Sequence, residues 1–107
     1  MNLKELKNII KNEGETLINK TQIAETEKEK ILLRAVKLNE EVGELCEEIL
    51  KKFGNQRKEK KFDDKNLRGE FADVIITLML LADKMDIDVE EALEEKVNYI
   101  VKKKLKE

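Results

Sequence analysis

Four carboxylates in this chain stand at intervals that suit shared chemistry. Glu41 and Glu44 are three residues apart, and Glu70 and Asp73 repeat the interval. On a helix, residues i and i+3 share a face, so each pair can aim two carboxylates at one point. Carboxylates brought together repel, and burying them without a partner is prohibitive, so a cation between them is the natural resolution. Oxygen ligands suit hard divalent ions, Mg²⁺ first and Mn²⁺ as a second choice. The chain contains no His, which argues against a zinc or other imidazole site. On spacing alone, a surface of solvated and salt-bridged acids fits equally well. Glu40 and Glu47 are read that way.

The elements that must position these acids are helices. A first helix is predicted over about Leu3–Ile18, with Leu3, Leu6, Ile9, Ile10 and Leu17 on one side and a weak point at Gly14. Thr26, followed three residues later by Glu29, is a capping-box pattern. It opens a second helix, about Glu27–Phe53, closed by Gly54 at a position that favours left-handed backbone. Its apolar stripe is Ile31, Ala35, Leu38, Val42, Leu45 and Ile49, with Glu41, Glu44 and Glu48 in a row beside it. A charged connection leads to a third helix, about Asn66–Met85. Asp88 then caps a fourth that runs to about Leu105, with Val89, Leu93, Val97, Ile100 and Leu105 facing inward. The expectation is a single all-α domain over residues 1–107, a four-helix bundle.

The third helix breaks the amphipathic pattern. Val74, Ile75, Ile76, Leu78, Met79, Leu80 and Leu81 are apolar around its whole circumference, and such a helix needs cover on every side. Three other helices in 107 residues scarcely provide it. A homodimer or homotetramer is therefore expected to complete the fold.

Composition narrows the partners. With 22 basic and 24 acidic residues the net charge is −2, so no global field draws the chain to nucleic acid or to an acidic membrane. The longest apolar stretch, Val74–Ala82, falls far short of the roughly 20 residues that a membrane span needs. Charges recur from Lys4 onward, unlike a secretory leader, and the reading is a soluble, cytoplasmic protein. Cys46 is the single cysteine and is expected to pack as a small hydrophobe. Six bases among residues 51–61 follow five acids among residues 40–48. They form either a basic rim beside an acidic pocket or a solvated loop.

The run Lys37-Leu-Asn-Glu40-Glu41-Val-Gly-Glu44-Leu, then Glu70-Phe-Ala-Asp73-Val, then Asp86-Ile-Asp-Val-Glu-Glu-Ala-Leu resembles the MazG-like nucleotide pyrophosphohydrolases. That all-α superfamily carries E-E-x-x-E, a spacer and E-x-x-D, and both halves occur here in order. The resemblance covers about residues 27–100. It implies that Glu41, Glu44, Glu70 and Asp73 are the magnesium ligands and the catalytic residues. Glu40 matches the first acid of the motif but points away on the helical wheel, so its role is read as either supporting the ligands from behind or structural. Lys96 matches a fourth-helix lysine that lies toward the phosphates in relatives. An asparagine that relatives often carry a few residues later is replaced by Ile100, although Asn98 is close.

The resemblance further implies cleavage of a nucleoside triphosphate to a monophosphate and pyrophosphate. Arg34 and Lys37 lie on the same flank of the second helix as Glu41, as phosphate-binding or salt-bridging residues. With no Trp, no His and four other aromatics, base recognition is expected to be loose. Three alternatives stay open. One is a phosphoribosyl-ATP pyrophosphohydrolase-like enzyme, although relatives of that kind usually carry Tyr-His where this chain has Ile76-Thr77. The second is a non-catalytic helical interaction module, and the third a structural bundle whose acids are solvated.

Overall fold

The computed structural model describes residues 1–18, 26–54 and 63–106, and all regular structure among them is helical. The element order is α1 (Leu3–Ile18), α2 (Glu27–Lys52), α3 (Asp64–Lys84) and α4 (Val89–Lys106). The four expected helices are present, and α1 continues through Gly14 without a break. The basic segment 55–61 lies outside the described residues, as does the side chain of Leu17.

Local chemistry sets the ends of the helices. The Glu29 amide donates to Thr26 Oγ1 at 3.1 Å, closing the predicted cap of α2. Past its end, Gly54 takes φ +74, where a side chain would be strained. Helix α3 starts two residues earlier than the sequence suggests, because Asp63 accepts from the Lys65 amide at 2.9 Å. Asp86 carries the α3–α4 turn at φ 56, a left-handed conformation that Asp tolerates better than most residues. Asp88 then accepts from the Glu91 amide at 3.2 Å.

Helices α2 and α3 form the central pair and run antiparallel. Lys84 near the end of α3 acts on Glu27 at the start of α2, Asp73 acts on Glu41, and Glu70 acts on Lys51. The face that α2 turns toward its neighbours differs from the most apolar one. Arg34, Glu41 and Glu48 are buried, with Leu38 and Leu45 half-buried between them, whereas Ala35 and Val42 are exposed. Those five positions repeat at intervals of four and three, the seam of a helix pair. Hydrophobicity points to a stripe displaced from this seam, because three of its members are charged.

Helix α1 packs on α3 through Ile10, which is buried, while Leu3, Leu6 and Ile9 are exposed. Leu67, Leu80 and Ala82 of α3 supply the other buried apolar residues, and Thr77 of the same helix is fully enclosed. Lys7 of α1 reaches Glu90 at 2.9 Å and Asp88 at 3.1 Å, tying α1 to the beginning of α4. Beyond that point α4 leaves the bundle. Leu93, Val97, Ile100 and Leu105, expected to face inward, are all exposed. Their stripe is formed as the sequence indicates, but it stays exposed among the described residues. Cys46 is exposed too, since it lies on the outer side of α2 rather than in the seam. Among the described residues no helix is long and apolar enough to cross a membrane.

Leu80, buried to 3% exposure on α3, anchors the core. Replacing it with Ala is expected to lower unfolding free energy by about 3 kcal/mol. Thr26→Ala, which removes the α2 cap, is expected to cost about 1 kcal/mol. Urea titration followed by circular dichroism measures both. A cost below about 0.5 kcal/mol for Leu80→Ala would contradict the core described here.

Candidate metal centre

The antiparallel pairing of α2 and α3 brings the acids together at mid-seam. Glu41, Glu44 and Glu70 each offer a carboxylate oxygen, and the three oxygens lie within 4.8 Å of one another. Glu41 is the deepest at 7% exposure, Glu70 is half-buried, and Glu44 stands at the open edge. Asp73, half-buried one turn further along α3, is felt electrostatically by both Glu41 and Glu70.

The electrostatics are those of a crowded anionic site. Burial, then the neighbouring Glu44, raises the Glu41 carboxyl above the usual range, with Lys37 pulling the other way. Burial also leads for Glu70, followed by repulsion from Glu44, Asp73, Glu41 and Glu48. The Oε2 atom of Glu70 is shut off from solvent and accepts no hydrogen bond among the described residues. An orphaned buried carboxylate oxygen is costly, and one aligned with two other acids is what a cation would satisfy. Three oxygens this close can share one ion, and carboxylates are the hard oxygen donors that a divalent cation such as Mg²⁺ takes.

Two lysines bracket the acids. Lys37 lies 3.5 Å from Glu41 and 3.4 Å from Glu40. Its burial opposes the charge, but Glu40 and Glu41 outweigh that effect and raise its pKa. At the other end Lys51 binds Glu48 at 2.7 Å, and that hydrogen bond raises the Lys51 pKa. Glu40 is exposed, as the wheel indicates. Arg34 is sealed at 1% exposure, two turns from Glu41 on the buried face of α2. Lys96 is exposed on α4, its Nζ 5.7 Å from the centre of the Tyr99 ring, and is not a member of the cluster.

Two residues of the seam carry signals that apolar periodicity passes over. Glu48 is buried at 8%, with Oε2 unpartnered among the described residues. It falls seven residues after Glu41, the heptad return of the seam. Thr77, fully buried with its hydroxyl unpartnered among the described residues, likewise falls seven after Glu70. The three-four spacing continued from the acids would have found both.

Raised carboxyl pKa values give a definite sign. Folding favours the protonated forms of Glu41 and Glu70, so metal-free stability attributable to them falls as pH rises above the unfolded value near 4.5. In EDTA, Glu70→Gln is expected to melt a few degrees above the parent protein at pH 7. The difference should shrink toward pH 5 as the native carboxyl takes up its proton. Melting curves at the two pH values check this, and a variant that melts lower at pH 7 contradicts the repulsion.

Comparison with known proteins identifies the family. The MazG-like family model matches residues 32–107, a span that contains all four acids. The uncharacterized protein YpjD of Bacillus subtilis (strain 168) is 39% identical over 61 residues, 57% of this chain and 55% of that protein. The chain thus matches about half the length of that curated relative. The crystal structure of YpjD from Bacillus subtilis, described as a candidate pyrophosphatase, superimposes with a TM-score of 0.69 at 25% identity, covering 92% of this chain and 94% of that one. The matched span, the shared fold and the two acid pairs facing each other across one seam place this chain in the MazG-like family.

Proposed function

We propose that this protein is a magnesium-dependent pyrophosphohydrolase that cleaves nucleoside triphosphates to monophosphates and pyrophosphate. The observation that carries the reading is the carboxylate cluster of Glu41, Glu44 and Glu70, with a buried Glu70 oxygen that no described residue satisfies. A bundle selected only for stability would fill that seam with apolar side chains. The family, and a structural relative described as a candidate pyrophosphatase, support the reaction class.

Glu41, Glu44, Glu70 and Asp73 would hold the cation. When bound, the metal neutralises phosphate oxygens and makes a coordinated water easier to ionise. The residues around it supply the rest. Glu44, at the open edge of the cluster, is placed to orient the attacking water and accept its proton. Lys37 already touches the acids through Glu40 and Glu41, and its ammonium can turn from Glu40 to a phosphate oxygen without leaving the site. Arg34 is enclosed, so its contribution is a fixed positive potential along the seam rather than a surface contact. Lys96 would need a bound substrate that extends toward α4.

The sharp test compares Glu70→Gln with Glu47→Gln, an exposed acid on the same pair of helices. Pyrophosphate release from a panel of nucleoside triphosphates with Mg²⁺ should fall by two or more orders of magnitude for Glu70→Gln and stay near the parent value for Glu47→Gln. Mg²⁺ should raise the melting temperature of the parent and of Glu47→Gln, and barely move that of Glu70→Gln. Equal behaviour of the two variants in both assays would remove the metal site and leave a non-catalytic module.

A further inference from the structure

Lys51 is the first of the bases that follow the acids of α2, and it lies within the described residues. It leans back along the helix, the direction that helical side chains favour. Its Nζ sits 2.7 Å from Oε1 of Glu48, and its side chain is 20% exposed. Glu70 of α3 acts on it from across the seam. At the other end Lys37 leans forward, its Nζ 3.5 Å from Glu41. Glu41 and Glu48 are seven residues apart on one face, about 10 Å along the axis at 1.5 Å per residue. Two ammonium groups thus flank the oxygens gathered from Glu41, Glu44 and Glu70. A ligand lying along the seam would meet both.

The Glu48–Lys51 pair differs from an ordinary salt bridge on a helix surface, which joins two solvated side chains and contributes little. Glu48 is 8% exposed. Its Oε2 is shut off from solvent with no hydrogen-bond partner among the described residues, and its charge adds to the repulsion on Glu70. For stability alone this is a poor arrangement, since an apolar residue would fill the same place without the electrostatic cost. Glu48 also stands outside the three acids whose oxygens converge at mid-seam. What it does achieve is to fix Lys51. A lysine ammonium rides on a flexible four-carbon stem, and Glu48 holds this one at the edge of the cluster.

We propose that Lys51 binds a phosphate of the substrate, that Glu48 is the residue that positions it, and that Lys37 and Lys51 grip one polyphosphate chain from opposite ends of the carboxylate cluster. This role rests on the pyrophosphohydrolase reading of the cluster and adds two residues to it. A lysine ammonium is a compact point charge with three donors. Lys51 can therefore keep its hydrogen bond to Glu48 while it donates another to a phosphate oxygen, a charge-assisted contact of the stronger kind. The buried carboxylate also has a purpose here, because a held ammonium loses less freedom on binding than a free one.

Calorimetric titration of the full chain in Mg²⁺ with methylenediphosphonate, a pyrophosphate analogue that resists hydrolysis, reads the contact without turnover. Lys51→Gln is expected to weaken binding by about tenfold, the worth of one charge-assisted hydrogen bond, and Lys51→Arg to recover most of the loss. With a nucleoside triphosphate, Lys51→Gln should raise KM by more than it lowers kcat. The rise in melting temperature with Mg²⁺ should persist in Lys51→Gln, because Lys51 is not a cation ligand. In a Glu48→Gln background the ammonium is no longer held, so Lys51→Gln should cost less than about threefold there. A parent that binds the analogue no better in Mg²⁺ than in EDTA overturns the metal-site reading and this role with it. A parent that binds well but loses less than about threefold in Lys51→Gln overturns the lysine's role alone. An equal loss from Lys51→Gln with and without Glu48 overturns the positioning.

Discussion

The interaction on which the structure turns is the mutual repulsion of carboxylates enclosed between α2 and α3. Glu41 and Glu48 are buried, Glu70 is half-buried with a sealed oxygen that no described residue satisfies, and Glu44 and Asp73 add their repulsion to it. Left alone, such a group works against the helix pair that creates it. Lys37 and Lys51 relieve part of it from within α2, yet each is a single cation held at one end of the row. The mid-seam oxygens of Glu41, Glu44 and Glu70 remain together, the arrangement that the proposed divalent ion would relieve. Stability foregone in the metal-free chain becomes binding energy when a cation enters, because whatever binds only the folded state stabilises it.

That constraint also explains why the seam was only partly legible in the sequence. The pairs Glu41/Glu44 and Glu70/Asp73 could be placed on helical faces by period alone; Glu41, Glu44 and Glu70 come together, while Asp73 stays outside that group of three. The caps at Thr26 and Asp88 were readable for the same reason, since side-chain chemistry close in sequence decides them. The buried face of α2 was misplaced toward Ala35 and Val42. Hydrophobic periodicity finds the most apolar face, and a functional seam puts Arg34, Glu41 and Glu48 where a structural one has leucines. Thr77 was overlooked by the same logic, as a polar residue inside an apolar run.

The second misreading concerns α4. Amphipathic periodicity establishes that Leu93, Val97 and Ile100 form a face in need of cover, and it does not say which chain supplies the cover. The all-round apolar character of α3 raised the expectation of cover from a second chain, and Phe71, Ile75 and Leu78 are about half exposed in this one. Three helices carry the acids and the core, while the fourth reaches outward with its charges sorted by sign along its length. Lys7 fixes α1 to the start of α4 through Asp88 and Glu90.

The central claim is that the carboxylate cluster between α2 and α3 is a site for a divalent cation. Crystals grown with Mn²⁺ and measured at an energy where manganese scatters anomalously test it most directly. The account predicts an anomalous peak about 2.2 Å from carboxylate oxygens of Glu41, Glu44 and Glu70, and the loss of that peak in Glu70→Gln. Fully occupied manganese elsewhere on the chain with none at this cluster, or an unchanged peak in the variant, would contradict it.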